Sequence, residues 1–304
     1  MSIRPGIDWE QQVTPSGDWY SVTYGAGLFV AVSYGSTNHV MTSPDGIEWE
    51  EQVAPQGNWY AVTYGAGVFV AVGATASVVM TSPDGIEWTL CPTPSGRWRA
   101  ITYGAGLFVA ISNSTGAAVT SPDGITWTLR SAPRASWYSV TYGAGLFVAV
   151  SYNSSVVMTS PDGITWTTQA APSAGWYAVT YGAGLFVAVS ISGFIRVMTS
   201  PDGITWTTQT APLGNWYAVT YGAGLFVAVS YNSVAPVMTS PDGITWTTQA
   251  APWGRSRGVA YSGGLFVAVG TNAAMTSGIY TPPSNLETYR GLQMLLPNGK
   301  AWEM

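Results

Sequence analysis

The chain has little charge, cysteine or histidine, and these scarcities exclude several kinds of site. Only 8% of its 304 residues are charged, and it has one cysteine, Cys91, and one histidine, His39. One cysteine forms no internal disulfide, and His39 has no repeated partner with the spacing of a zinc site or a cysteine–histidine pair. The sequence therefore predicts no metal, no cofactor and no catalytic residues.

Long apolar runs and basic patches are also missing. Hydrophobic residues make up 47% of the chain, yet the longest apolar runs, such as Leu225–Val229, have the length of strands. A membrane helix needs ~18 such residues, and a net charge of −5 does not suit a phosphate backbone. We therefore expect no membrane insertion, no nucleic-acid partner and thin sheets buried on both faces. The first residues also lack the apolar segment of a signal peptide.

What the chain has in abundance is a repeat. The phrase Tyr-Gly-Ala-Gly-Leu-Phe-Val-Ala-Val, or a near copy, occurs seven times at intervals of 39 or 40 residues. A period of about 40 with β-type content is typical of a propeller blade. The copies begin at Tyr24, Tyr64, Tyr103, Tyr142, Tyr181, Tyr221 and Tyr261.

Each repeat predicts four short antiparallel strands. Aromatic and β-branched segments alternate with two turns, Gly182-Ala-Gly184 and Pro201-Asp-Gly203, whose glycines adopt positive φ at low cost. No segment of the repeat shows helical periodicity. In one copy the predicted strands are Trp176–Tyr181, Leu185–Ser190, Val197–Ser200 and Ile204–Gln209.

The repeats predict a closed ring. Seven first strands are followed by only six Ser-Pro-Asp-Gly-Ile-x-Trp segments, and the missing portion resembles residues 5–12 at the other end of the chain. We expect an all-β, seven-bladed propeller of four-stranded blades over residues 1–277, with the N-terminal strand completing the last blade. Residues 278–304 would form a tail with one short helix, capped by Ser284 or Asn285 and ended by Pro297.

Two resemblances support this interpretation. The segment Ser-Pro-Asp-Gly-Ile-Thr-Trp resembles the Asp-box of sialidase-type propellers, although it is one residue shorter between Asp and Gly. Residues 292–302, Leu-Gln-Met-Leu-Leu-Pro-Asn-Gly-Lys-Ala-Trp, resemble the opening motif of a tailed-phage baseplate and tail protein family. The second resemblance implies a virion protein that docks to a tail or baseplate partner through residues 284–304. Without it, we expect a soluble protein.

The repeated aspartates and the tryptophans of the boxes are expected to be structural. An aspartate in such a turn accepts backbone N–H groups, and an indole there packs between outer strands. The box aspartates are Asp45, Asp84, Asp123, Asp162, Asp202 and Asp242, and the box tryptophans are Trp9, Trp49, Trp88, Trp127, Trp166, Trp206 and Trp246.

Ligand-binding candidates come from two places. A second set of tryptophans starts the innermost strands, where they would line the channel or the clefts between blades: Trp19, Trp59, Trp98, Trp137, Trp176 and Trp216. The repeats also differ in their second-to-third and blade-to-blade connections, which share one face because antiparallel strands alternate in direction. Candidates on this variable face are Tyr34, Tyr152, Asn153, Phe194, Arg196, Tyr231, Asn232, Trp253, Arg255 and Arg257.

Together these features predict a recognition module without enzymatic activity. Tyr, Asn, Trp and Arg are typical of adaptable contact surfaces. The preferred hypothesis is a phage tail or baseplate protein that binds a host surface glycan. The alternative is a structural adaptor docked through its tail. A sialidase-like enzyme is less favoured, since the arginines do not recur at one position of the repeat.

Overall fold

The computed structural model describes residues 4–74, 77–231 and 236–278. All regular secondary structure in these ranges is β-strand, which confirms the predicted all-β class. The tail and its predicted helix lie beyond Gly278, outside the described residues.

Strands in the first half of the chain follow the repeat. They are β1 (Glu10–Gln12), β2 (Trp19–Gly25), β3 (Leu28–Ser33), β4 (Val40–Ser43), β5 (Glu50–Gln52), β6 (Trp59–Gly65), β7 (Val68–Gly73), β8 (Val78–Ser82), β9 (Thr89–Pro92), β10 (Trp98–Gly104), β11 (Leu107–Ser112), β12 (Ala117–Ser121) and β13 (Thr128–Ser131).

Strands in the second half continue the same pattern. They are β14 (Trp137–Gly143), β15 (Leu146–Ser160), β16 (Thr167–Gly182), β17 (Leu185–Ser190), β18 (Val197–Ser200), β19 (Thr207–Gln209), β20 (Trp216–Gly222), β21 (Leu225–Ser230), β22 (Val237–Ser240), β23 (Thr247–Gln249), β24 (Ser256–Ser262), β25 (Leu265–Gly270) and β26 (Ala273–Gly278).

Consecutive strands pair antiparallel, so each sheet grows outward from the first strand of a repeat. Four sheets run β2-β3-β4-β5, β6-β7-β8-β9, β10-β11-β12-β13 and β20-β21-β22-β23. The repeats beginning at Trp137 and Trp176 share one sheet of six strands, because β15 and β16 each continue through two strand positions. With the sheet that joins the chain ends, the described residues therefore form six sheets.

The two ends of the described chain meet in one sheet, of order β1-β26-β25-β24. Gln11 pairs with Met275, and the backbone N–H of Gly6 donates to the Ser277 hydroxyl at 2.7 Å. The equivalent hydrogen bond in an intact box runs from the backbone N–H of Gly46 to the Ser43 hydroxyl, at 2.8 Å. A box is thus assembled here from residues at opposite ends of the sequence.

The second strand of every repeat is buried on both faces, which explains the high apolar content. In β17, all residues after Leu185 are buried. Adjacent sheets pack face to face: Val187 and Val189 of β17 lie in one buried cluster with Trp216, Phe226 and Met238 of the next sheet. The expectation of sheets buried on both faces is confirmed for these second strands, whereas outermost strands such as β19 are largely exposed.

The first turn of each repeat is a two-residue hairpin loop in which both residues have positive φ. Ala183 has φ 48° and Gly184 has φ 78°, between β16, which ends at Gly182, and β17. Positive φ at both positions matches the right-handed twist of the strands. The sequence predicted the turn, but it did not predict that an alanine would adopt the left-handed conformation.

The box aspartates have the predicted structural role. The Asp162 Oδ1 atom accepts hydrogen bonds from the backbone N–H of Thr165 at 2.9 Å and of Ile164 at 2.8 Å. These bonds hold the pKa of Asp162 below its usual value. The pair of backbone bonds recurs at Asp45, Asp84, Asp123, Asp202 and Asp242.

The box tryptophans are also structural, as predicted. Trp166 is buried, and its Nε1 donates to the Gly163 carbonyl at 3.1 Å. The equivalent bond forms in the assembled box, where Trp9 Nε1 donates to the Gly6 carbonyl at 3.0 Å. Each indole therefore closes its own turn and leaves no N–H free for a ligand.

Candidate functional site

A β-bulge interrupts the first strand of every repeat at the same place. In β14, Trp137 pairs with Ser151 while Ser139 pairs with Val150, so Tyr138 has no partner across the ladder. Bulges often re-aim a side chain beside a functional site. The seven bulged residues, here called the channel ring, are Tyr20, Tyr60, Arg99, Tyr138, Tyr177, Tyr217 and Arg257.

The channel ring borders a cavity enclosed by the first strands. Strand β2 contacts β6 and β24, and neighbouring contacts continue through β10, β14, β16 and β20. The cavity has a volume of about 170 Å³ and is lined by three successive residues from each of these seven strands. Below the channel ring lies a layer of small residues such as Ser139 and Ala178, followed by valines and one isoleucine. No carboxylate of the described residues lines the cavity.

The variable connections meet the channel ring at the mouth of this cavity. Tyr34, Tyr152 and Tyr231 begin three second-to-third connections, and their rings lie 5.3, 5.3 and 5.5 Å from those of Tyr20, Tyr138 and Tyr217. Tyrosines of the channel ring also touch one another, with 4.6 Å between the ring centroids of Tyr177 and Tyr217. Tyrosine rings therefore make up most of the mouth, and Arg99 and Arg257 separate them into two groups.

The two kinds of variable connection are neighbours on one face. The backbone N–H of Tyr34 donates to the Asp18 carbonyl at 3.1 Å, and that of Tyr152 donates to the Ser136 carbonyl at 2.9 Å. In each case the end of a second strand bonds to the connection that precedes its own repeat. This adjacency agrees with the predicted variable face.

Arg257 lies beside a carboxylate and packs against tyrosine rings. Its Nη1 donates to the Tyr20 hydroxyl at 2.9 Å, and its guanidinium carbon lies 4.2 Å from the centre of the Tyr231 ring. The Nε atom is 3.3 Å from Asp18 Oδ1, an ion-pair distance, but it is misaligned for a hydrogen bond. Burial lowers the pKa of Arg257, but Tyr20 and Asp18 among others outweigh it, so the pKa is raised overall.

Arg99 has a different environment. Its side chain is buried, and its guanidinium carbon lies 4.6 Å from the ring centre of Tyr60, 5.0 Å from that of Tyr138 and 5.1 Å from that of Tyr177. One Nη2 hydrogen bond reaches the Tyr177 hydroxyl at 2.6 Å. In the described part of the chain, no carboxylate lies within ion-pair distance of Arg99.

Burial holds three tyrosines of the channel ring in their neutral form. Burial raises the pKa of Tyr20 to about 12, despite the opposing effect of Arg257. Burial likewise raises the pKa of Tyr138 and Tyr217. Near neutral pH these phenols therefore carry protons that they can donate. Hydroxyl and guanidinium donors dominate the mouth.

The raised pKa of Tyr20 predicts a loss of stability at high pH. An unfolded tyrosine ionises near pH 10, whereas folded Tyr20 stays neutral up to about 12. Its contribution to folding is therefore complete below pH 10 and is lost as the pH rises from about 10 to about 12. Denaturant unfolding across this range, in wild type and Tyr20→Phe, measures the effect. A wild-type pH profile parallel to that of the variant would contradict this assignment.

The predicted role of the innermost tryptophans is wrong. All six are fully buried in the core between sheets, and a buried indole offers no face to a ligand. Trp176 Nε1, for example, donates to the Pro172 carbonyl at 2.7 Å. The six buried tryptophans are Trp19, Trp59, Trp98, Trp137, Trp176 and Trp216.

The other candidates among the described residues do not line the cavity. Phe194 is fully exposed at the tip of its connection, and Arg196 is partly buried with two guanidinium nitrogens unpaired. Arg255 forms an isolated bridge with Tyr231. Trp253 is half-buried, with its ring close to Gly270. Asn232 and the side chain of Asn153 lie outside the described residues.

Sequence reasoning missed most of the channel ring. Of its seven members only Arg257 was among the candidates, although the position after each innermost tryptophan is Tyr or Arg. A bulge depends on the pairing register, which local sequence does not encode. The available signal was that five of these seven positions carry tyrosine, a residue with a polar tip.

Other kinds of site are not found in the described residues. No group of three His, Cys, Asp or Glu residues there is placed to hold a metal ion. The same ranges contain no helix able to cross a bilayer. His39 lies apart from the channel ring, in a surface cavity with residues such as Ser36 and Asn58, and burial lowers its pKa.

Comparison with known proteins establishes the fold class. No protein-family model and no curated protein sequence matches the chain. Among solved structures, it is similar to a streptogramin B lyase (TM-score 0.80, 12% identity, covering 90% of this chain and 98% of that one). It is also similar to the Cps50 (Swd1) β-propeller domain of Myceliophteria thermophila (TM-score 0.67, 10% identity, 90% and 100% covered). The chain is a β-propeller.

The prediction that the protein is not an enzyme is contradicted by these neighbours. They include the virginiamycin B lyase of Staphylococcus aureus (TM-score 0.78, 14% identity, 90% and 100% covered). A propeller supports catalysis or binding according to the residues placed on it. The scarcity of histidine and cysteine was therefore not enough to exclude an enzyme. At these identities the likeness shows the fold alone. Nothing in the comparisons supports the resemblance to phage tail proteins or to Asp-box families.

Proposed function

We propose that the protein binds a surface glycan at the mouth of its central channel. The observation that carries this proposal is the repeated bulge, which displays a tyrosine or arginine at seven equivalent positions around one cavity. A sugar ring has an apolar C–H face that packs against aromatic rings and hydroxyl groups that bond to polar tips. Tyrosine offers both surfaces with little entropy to lose.

The proposal includes a seven-bladed ring closed by β1. Its support is the contact of β2 with β24 and the box assembled from Gly6 and Ser277. In this arrangement the shared six-stranded sheet counts as two blades joined through the continuous strands β15 and β16. A closed ring would hold the seven ring residues at fixed distances, which lowers the entropy cost of binding.

We further propose that the glycan belongs to a host cell and that the protein is carried on a phage tail. This part rests only on the resemblance of residues 292–302, which lie outside the described residues. The variable loops around an otherwise uniform mouth suit a surface that adapts to changing receptors.

Glycan-array binding by a multivalent form of the protein tests the proposal. We expect selective retention of a small set of glycans by wild type. Tyr177→Ala removes a ring member and should weaken binding strongly, whereas Ile164→Ser, an exposed residue in a box turn on the opposite face, should not. Absence of binding at high multivalency, or equal loss in both variants, would refute the proposal. Analysis of each bound glycan after incubation detects any cleavage.

A further inference from the structure

The two arginines of the channel ring differ in what neutralises them. Arg257 lies beside the carboxylate of Asp18, which also accepts a hydrogen bond from Thr271 at 2.7 Å. Arg99 has no such partner in the described part of the chain, and no carboxylate lines the cavity. The channel therefore contains one uncompensated positive charge.

Arg99 is deeply placed as well as uncompensated. Its side chain is only 7% exposed, enclosed by the rings of Tyr20, Tyr60, Tyr138 and Tyr177 at 4.6 to 5.9 Å from the guanidinium carbon. Aromatic faces attract a cation, but they accept none of its hydrogen bonds in the plane of the guanidinium. Of its five N–H donors, one is committed to Tyr177.

A buried charge without a counter-ion is costly, and such groups are usually paired or bind a ligand. The donors around Arg99 indicate the sign of that ligand. Tyr177 accepts from Arg99 and so keeps its own hydroxyl proton for donation, and burial holds the phenol of Tyr138 neutral by raising its pKa. Every polar side chain that lines the cavity beside Arg99 can donate to an anion.

We infer that Arg99 receives a carboxylate group of the bound sugar, with the Tyr177 hydroxyl as a second donor. This inference rests on the proposed function and specifies the class of glycan as one that contains a uronic acid. A carboxylate matches the planar fork of the guanidinium, which favours paired parallel hydrogen bonds. A monoanion also matches the single free charge better than a dianionic phosphate.

The repeats supply substitutions that are compatible with the fold. Five other repeats have tyrosine at the position equivalent to Arg99. Arg99→Tyr therefore introduces a residue that the same position of the fold accommodates elsewhere in the protein. A matched control is Arg130→Gln. Arg130 donates to Thr120 at 3.0 Å on an outer strand, and glutamine makes the same bond in other repeats, as Gln169 does with Thr159. Both changes remove one positive charge.

Calorimetric titration with free glucuronate, its methyl ester, glucose and inorganic sulfate tests the inference. We expect wild type and Arg130→Gln to bind glucuronate alike, and Arg99→Tyr to bind it roughly 10- to 100-fold more weakly, the loss typical of a charge-assisted pair. The methyl ester and glucose should bind wild type as weakly as glucuronate binds Arg99→Tyr. Circular dichroism and thermal melting establish that each variant is folded.

The outcomes separate this inference from the proposed function. Equal binding of glucuronate by Arg99→Tyr and Arg130→Gln, equal binding of glucose and glucuronate, or tighter binding of sulfate would each overturn the carboxylate assignment. Retention of neutral glycans on the array would then leave the proposed function intact. Conversely, Arg99-dependent glucuronate binding without any retained glycan would support the carboxylate site and refute the glycan receptor.

Discussion

Replacing Trp137 by alanine is expected to lower the free energy of unfolding by about 3–5 kcal/mol, the usual cost of truncating a buried aromatic side chain. Trp137 is fully buried against Phe147 and Met158. Its Nε1 donates to the Pro133 carbonyl at 2.7 Å, so truncation also leaves that acceptor without its partner. Chemical denaturation followed by circular dichroism measures the change.

Trp137→Phe is the control for this prediction. Phenylalanine keeps most of the packed volume and loses the N–H donor, so a smaller cost of about 1–2 kcal/mol is expected. The seventh repeat has Ser256 at the equivalent position, and there the ring of Trp253 lies near Gly270 on the neighbouring strand. A cost below about 1 kcal/mol for Trp137→Ala would show that the sheets do not depend on these indoles.

Removing residues 1–12 is expected to destabilise the protein by about 4–6 kcal/mol and to promote aggregation. The deletion takes away Trp9, whose indole packs in a cluster with Val227, Phe266 and Met275. An aromatic side chain buries roughly 150–250 Å², worth about 25 cal/mol per Å². The deletion also leaves β26 as an open edge, because β1 pairs with β26 from Glu10 to Gln12.

The control for the deletion lies in the same segment. Arg4 and Asp8 form an exposed ion pair at 3.1 Å, and solvent screens such pairs, so Arg4→Ala should leave the stability close to that of wild type. Adding a synthetic peptide of residues 1–12 in trans should restore part of the lost stability. A truncated protein as stable as wild type would contradict the proposed role of β1 in closing the ring.

The strands were predictable because their ends are marked by turn residues. The Ser-Pro-Asp-Gly segments place Asp162 where its own backbone N–H groups can reach it, a local interaction that sequence alone specifies. The assembled box was predictable for a different reason. The seven first strands and six boxes left Ser277 and Gly6 as the only unmatched parts of a repeating pattern.

The candidate site was harder to predict because it depends on register and distance. Trp176 and Tyr177 are adjacent in sequence, and the first lies in the core whereas the second, the bulged residue, lines the cavity. An aromatic residue at the start of an innermost strand gives no sign of which side it will face. The distance of Arg99 from every carboxylate in the described part of the chain is likewise a property of seven strands brought together, visible only in three dimensions.

The most direct test of the central claim, that ligands bind at the channel ring, is hydrogen–deuterium exchange with and without a saturating glycan identified on the array. The account predicts slower exchange in peptides that carry the channel ring and the connections beginning at Tyr34, Tyr152 and Tyr231. Protection confined to the box turns around Asp45, Asp162 and their equivalents, on the opposite face, would contradict it.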